Sequence, residues 1–65
     1  MGKRVVPDPD EKPTITVPEA GALLGLKKRT SYDAARRGEI PTIRVGRALK
    51  VPTARFLREV LGLAV

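Results

Sequence analysis

The 65-residue sequence contains no cysteine, no histidine and no tryptophan, with one tyrosine and one phenylalanine. Each absence closes a class of function. Without cysteine there is no disulfide scaffold and no thiol nucleophile. Without histidine the commonest general base and most zinc sites are gone as well. No nucleophile and base pair can be assembled from what is left, so the chain is expected not to be an enzyme and to need no metal, other cofactor or small-molecule substrate. The scarcity of aromatic rings removes the stacking platforms on which single-stranded nucleic acid is usually read. Long apolar runs are missing too. Lys3 and Arg4 are followed only by Val5 and Val6 before Pro7, and no stretch approaches the ~20 apolar residues that span a bilayer. The expectation is a soluble, cytoplasmic protein with no membrane partner.

What the sequence does have is positive charge. Thirteen Lys or Arg against seven Asp or Glu give a formal charge of +6 and a pI near 10.6, the kind of value that goes with nucleic acid or another anionic surface. Its placement says more than its sum. Residues 1–26 carry three basic and four acidic side chains, residues 27–50 eight and two, and residues 51–65 two and one. The excess therefore lies in the central third.

A chain of this length makes at most one small domain, which buries only ~60% of the surface its unfolded form exposes. A deep catalytic cleft does not fit in it. Residues 1–13, MGKRVVPDPDEKP, hold three of the six prolines and show no period that buries a face, so they read as a flexible N-terminal tail. Asp8, Asp10 and Glu11 lie close together there, without the rigid support a metal site requires. The domain is then residues 14–65.

Four short elements follow. In TITVPEAGALLGL, Thr16 and Glu19 form a capping box, Pro18 sits in the first turn, Ala20, Leu23 and Leu24 share a face, and Gly25 stops a helix spanning about 17–24. Next comes LKKRTSYDAARRGEIP. Lys28 to Arg37 predict under three turns of helix closed by Gly38 and Pro41. Small Ser31, Ala34 and Ala35 face inward, and Arg29, Tyr32, Asp33, Arg36 and Arg37 point away. Two such helices joined by about three residues including a glycine have the spacing of a helix-turn-helix. In TIRVGRALKV, Ile43, Val45, Leu49 and Val51 are expected to alternate inward against Arg44, Ala48 and Lys50, with a type II′ turn at Gly46-Arg47. That reading puts Arg44, Arg47 and Lys50 together on the outer face or tip. A last helix begins at Pro52 or Thr53, buries Phe56, Leu57, Val60 and Leu61, and ends at Gly62. The fold class is thus mainly α with a small β-hairpin, in the order helix, helix, two-stranded hairpin, helix.

The pieces TVPEAGALLGL, RTSYDAARRGEIP and IRVGRALKVP with the closing helix, from Thr14 to Leu61, resemble the winged helix-turn-helix domains of phage excisionases (recombination directionality factors) and the related MerR-like DNA-binding domains. The resemblance implies a second helix in the DNA major groove, with Arg29, Asp33 and Arg36 reaching it, and a two-stranded wing whose Arg47 enters the minor groove. It also implies neighbouring copies on the DNA, DNA bending, and an integrase as partner, with the protein nucleoid-associated when bound. A small MerR-like transcriptional regulator is the alternative task. Two positions depart from the family pattern. Lys27 stands where a Ser or Asp N-cap is usual, and Asp33 stands where a base or long polar side chain is common.

Physical chemistry gives these residues roles. Arg29 and Arg36 are suited to bidentate bonds with guanine O6 and N7, each worth roughly 1–3 kcal/mol of discrimination. Asp33, within helical reach of Arg29, Arg36 and Arg37, either orients a guanidinium, the preferred role, or accepts from a cytosine amino group. Thr30 stands beside them, in the groove or on a phosphate. Lys27, Lys28, Tyr32, Arg37, Arg44 and Lys50 are assigned to phosphates. Tyr32 has an equal alternative, packing its ring over the first helix. Two other classes stay open: a binder of structured RNA using the same charge, and a protein-interaction module using Leu63 and Val65 beyond the last helix.

Overall fold

The strand and helix starts follow from local chemistry at residues 14–19. Thr14-Ile15-Thr16 is β-branched throughout and alternates polar with apolar, which favours a half-buried strand. Thr16 then caps the helix that follows: its hydroxyl accepts from the Glu19 N–H at 3.2 Å, while the Glu19 carboxylate accepts from the Thr16 N–H at 2.9 Å. The computed structural model describes residues 6–63, so residues 1–5 of the tail and Val65 lie outside the described residues. In chain order it contains β1 (Thr14–Thr16), α1 (Val17–Leu23), α2 (Lys28–Arg36), β2 (Ile43–Val45), β3 (Ala48–Pro52) and α3 (Thr53–Glu59).

The sheet has three strands where the sequence led us to expect two. The order is β1-β3-β2, both pairs antiparallel, with Ile15 opposite Val51 and Val45 opposite Ala48. The extra strand exists because Ile15 buries itself beside Val51, both almost fully shielded from solvent. A three-residue strand carries too little pattern to register on its own in a sequence. Between residues 45 and 48 the turn is two residues long, with Gly46 at φ 61 and no non-glycine residue at positive φ. That is the signature of the expected type II′ turn.

Both leading helices end in the same way. Gly25, at φ 78, follows α1, with Leu26 N–H donating to Gly21 C=O at 2.8 Å and Gly25 N–H to Ala22 C=O at 3.0 Å. Gly38, at φ 81, follows α2, with Glu39 N–H donating to Ala34 C=O at 2.9 Å and Gly38 N–H to Ala35 C=O at 3.1 Å. These are two Schellman motifs, which satisfy carbonyls the helices leave open.

α1 and α2 cross with almost no space between them. A Cβ added at Gly21 would stand 1.6 Å from Ser31 Oγ and 2.4 Å from Ser31 Cβ. Ser31 is fully buried, and its hydroxyl is satisfied within its own helix by donating to Lys27 C=O at 2.8 Å. The remaining core comes from Ile15, Val17, Ile40, Val51, Phe56 and Leu57, with Leu23, Leu24, Leu26, Leu49, Val60 and Leu61 packed against it. Among the described residues ahead of β1, Pro13 C=O accepts from Thr53 N–H at 3.0 Å and Lys12 lies 3.7 Å from the Glu19 carboxylate.

Gly21→Ala separates packing from propensity. In an open helix the change stabilises by ~1 kcal/mol; here overpacking is expected to destabilise by about 1–3 kcal/mol in urea unfolding. A gain in stability would show that the helices are free to move apart.

The capping box gives a pH-dependent prediction. The hydrogen bond from the Thr16 N–H is the main reason the Glu19 carboxyl is held below its ordinary value of 4.5; burial opposes it, and the Thr16 hydroxyl and Lys12, 3.7 Å away, add smaller lowering effects. A carboxyl lowered on folding contributes stability that is full above its unfolded pKa and lost as pH falls through the folded one. Glu19→Gln should therefore cost about 0.3–1 kcal/mol at neutral pH, and thermal melts of the two proteins should converge as the pH is lowered below 4.5.

Candidate nucleic-acid interface

Helix geometry decides what α2 shows to the outside. At about 100° per residue, Arg29, Asp33 and Arg36 fall within an arc of roughly 60°, and Ser31, Ala34 and Ala35 are centred about 180° away. The second group is buried and the first faces solvent, with Asp33 half-buried at its base. Thr30 and Arg37 flank the outward stripe on one side and Tyr32 flanks it on the other, all exposed. Tyr32 retains 40% exposure.

The carboxylates near this helix are already engaged. Of the three arginines within reach of Asp33, it is Arg36 that donates to it. Arg37 turns instead to Glu39, donating from Nε to Oε2 at 3.2 Å and from Nη2 to Oε1 at 3.1 Å. These hydrogen bonds, with the attraction of the opposite charge, hold the Glu39 carboxyl below its usual range and raise Arg37 further above its own. The sequence marks Gly38 and Pro41 as the stop of this helix and gives Glu39, between them, no role of its own. The pairing was hidden because side chains two apart do not meet on a helix; Glu39 reaches Arg37 because Gly38 has turned the chain.

The start of α2 is built differently. Lys27, in extended backbone at φ −79 and ψ 168, caps the helix without any side-chain hydrogen bond. Lys27, Lys28 and Arg29 are exposed and have no carboxylate partner among the described residues. Open N–H groups at a helix start beside three cations favour an anion such as a phosphate.

In the hairpin the structure corrects the expected faces. Cross-strand partners share a side, and across a two-residue turn odd positions pair with even ones. Ile43 pairs with Lys50, Arg44 with Leu49 and Val45 with Ala48. Lys50 therefore sits beside Ile43 and Val45, and Arg44 stands on the same side as Leu49 and buried Val51. The supposed common face of Arg44 and Lys50 does not exist. Ile43 and Val45, expected inside, are 41% and 57% exposed. Arg44 and Arg47 are exposed and Lys50 is half-buried. Carrying one odd-even alternation straight through the turn caused the misreading.

Elsewhere, α3 bears an exposed Arg55–Glu59 pair at 3.1 Å, and exposed Arg58 has no carboxylate partner among the described residues. Leu63 is 38% exposed, and its N–H donates to Leu57 C=O at 2.9 Å. No helix among the described residues is long and apolar enough to cross a membrane.

The helix-turn-helix domain family profile matches residues 14–58, well over half of the chain. Two relatives from strains of Mycobacterium tuberculosis, each provisionally named a DNA-binding protein, are 43% identical over 37 residues. The matched stretch covers 57% of this chain and 47% of each relative, so the chain spans about half the length of the relatives it matches. No solved structure matches it significantly.

The corrected hairpin faces have a simple test. Ile43→Thr and Val45→Thr should each change unfolding free energy by no more than about 0.5 kcal/mol, as surface substitutions do. Val51→Thr, which buries a hydroxyl in the core, should cost about 1–3 kcal/mol. Equal losses at all three positions would restore the original assignment.

Proposed function

We propose that this chain, which belongs to the helix-turn-helix domain family, binds duplex DNA with sequence preference and performs no chemistry on it. α2 lies in the major groove, where Arg29 and Arg36 read base edges and Asp33 holds Arg36 in its reading rotamer. Lys27, Lys28, Thr30 and Tyr32 meet phosphates along the groove wall, with Arg44 and Lys50 doing so from the two sides of the hairpin. The hairpin acts as a wing, with Arg47 at its tip in the minor groove. The observation that carries this reading is the outward stripe of Arg29, Asp33 and Arg36, set opposite the buried face of α2 in a domain of this family.

The task we propose is that of an excisionase. Copies bound side by side would bend attachment-site DNA so that a separate integrase assembles for excision. So few base-reading side chains favour specificity from repeated sites and DNA deformability. The family membership and the DNA-binding names of the relatives support DNA binding, and they suit a small transcriptional regulator equally. A distinguishing experiment is to titrate the protein onto a duplex carrying an attachment region, beside a scrambled duplex, at two salt concentrations, with a bend assay. The excisionase task requires a stepwise ladder with increasing bend and weak binding to the scramble. A single unbent complex on one operator-like site would favour the regulator.

Within that assay, Arg36→Ala should weaken binding to the preferred duplex by about 1–3 kcal/mol and scarcely affect the scramble. Lys50→Ala should weaken both alike and flatten the salt slope by about one unit. Equal losses on both duplexes for Arg36→Ala would remove it as a base reader.

A further inference from the structure

The two ends of α2 differ, and the DNA-binding reading leaves one of the pairs at its end, Arg37 with Glu39, without a role. At its start, Lys27, Lys28 and Arg29 stand without carboxylate partners among the described residues. At its end, each of two consecutive arginines has its own acid: Arg36 has Asp33, and Arg37 has Glu39. The second pair is the more committed. Arg37 presents to Glu39 the same two-donor edge, Nε and Nη2, with which a guanidinium grips a phosphate, and both carboxylate oxygens are occupied by it.

Glu39 is also held where it can do this. Gly38 at φ 81 reverses the chain, and the Glu39 N–H is fixed to Ala34 C=O at 2.9 Å. Ile40 immediately after it is anchored in the core at 1% exposure. The backbone of Glu39 is therefore pinned on both sides, and its carboxylate is delivered to Arg37 by the turn.

We infer that Glu39 is a specificity-determining residue of this surface, one that withholds Arg37 from indiscriminate phosphate binding. The inference rests on the duplex-DNA reading above. A phosphate that approaches Arg37 meets a guanidinium already compensated, with a like charge beside it, and gains little from neutralisation or counterion release. An exposed ion pair is weak enough to open when a well-placed acceptor competes for it. A correctly seated duplex thus recruits Arg37 and a poorly seated one does not, which is discrimination by penalising the wrong partner. Arg37 is in this view a conditional contact, unlike Lys27 and Lys28, which are always available.

The test compares wild type, Glu39→Gln, Arg37→Ala and the double variant. The probes are a random-sequence duplex and a duplex selected by the wild-type protein from a random pool. Affinity is measured as a function of salt. All four proteins should melt alike, since both side chains are exposed. On the random duplex, Glu39→Gln should bind more tightly at low salt, with a slope steeper by about 0.9, the value for one more phosphate contact. That is about a 3.5-fold larger loss of affinity over a fourfold rise in salt. The gain on the selected duplex should be smaller, so that selectivity falls. Arg37→Ala alone should leave the random-duplex slope unchanged, and in the double variant it should cancel the gain. The inference is overturned if Glu39→Gln leaves that slope unchanged, or if Arg37→Ala alone flattens it by a full unit. Both of those outcomes leave DNA binding itself intact. Failure of the wild type to bind either duplex would instead remove the DNA-binding reading, and the inference with it.

Discussion

The contact between Gly21 and Ser31 sets which face of α2 the candidate interface presents. Two helices of seven and nine residues have little surface with which to hold an angle, so their register must come from a contact that tolerates no substitute. A Cβ at residue 21 would overlap the serine side chain, and close packing of this kind has few alternative arrangements. Ser31 is polar and fully buried, yet its hydroxyl is bonded to Lys27 C=O, so burial leaves no donor stranded. Because the contact fixes which face of α2 turns inward, it also fixes which face turns out. Arg29, Asp33 and Arg36 owe their common outward direction to a glycine on the neighbouring helix.

The rest of the core supports that pair from below. β1 and β3 bring Ile15 and Val51 together, and α3 adds Phe56 and Leu57. Ile40, just past the Gly38 turn, is drawn into the same core, which ties the end of α2 to the body of the fold. The hairpin extends from this platform through β3, whose Val51 is buried while Ala48 near the tip is exposed. One strand therefore serves both as the anchor and as the support of a basic projection.

Charge is divided as sharply as packing. Four of the seven acids lie between residues 8 and 19 and one is in α3, leaving Asp33 and Glu39 as the acids of residues 27–50. Both pair with arginines at the end of α2, so within residues 27–50 the unpaired positive charge lies at the start of that helix and along the hairpin. A surface arranged in this way suits a polyanion, with Arg36 and Arg37 each already paired to an acid.

Much of this was legible in the sequence where the signal is local. Thr16 with Glu19, the glycines at 25, 38 and 46, and the small residues of α2 mark caps, turns and a close-packed face because their chemistry acts over one to four residues. β1 was not legible, because three residues suited to a strand are too few to mark one, and Ile15 finds its partner thirty-six positions away. The hairpin faces were misread because strand pairing, which transfers parity across the turn, is a relation between strands. The Arg37–Glu39 pair escaped notice for a similar reason, since it depends on the direction the chain takes after Gly38. By itself, then, the sequence determined where the helices begin and end, where the charge lies and which helix face is small enough to pack. The tertiary structure alone decided which carboxylate holds which arginine, which side of the hairpin each basic residue occupies and how β1 completes the sheet, because those are distances between groups that only folding brings together.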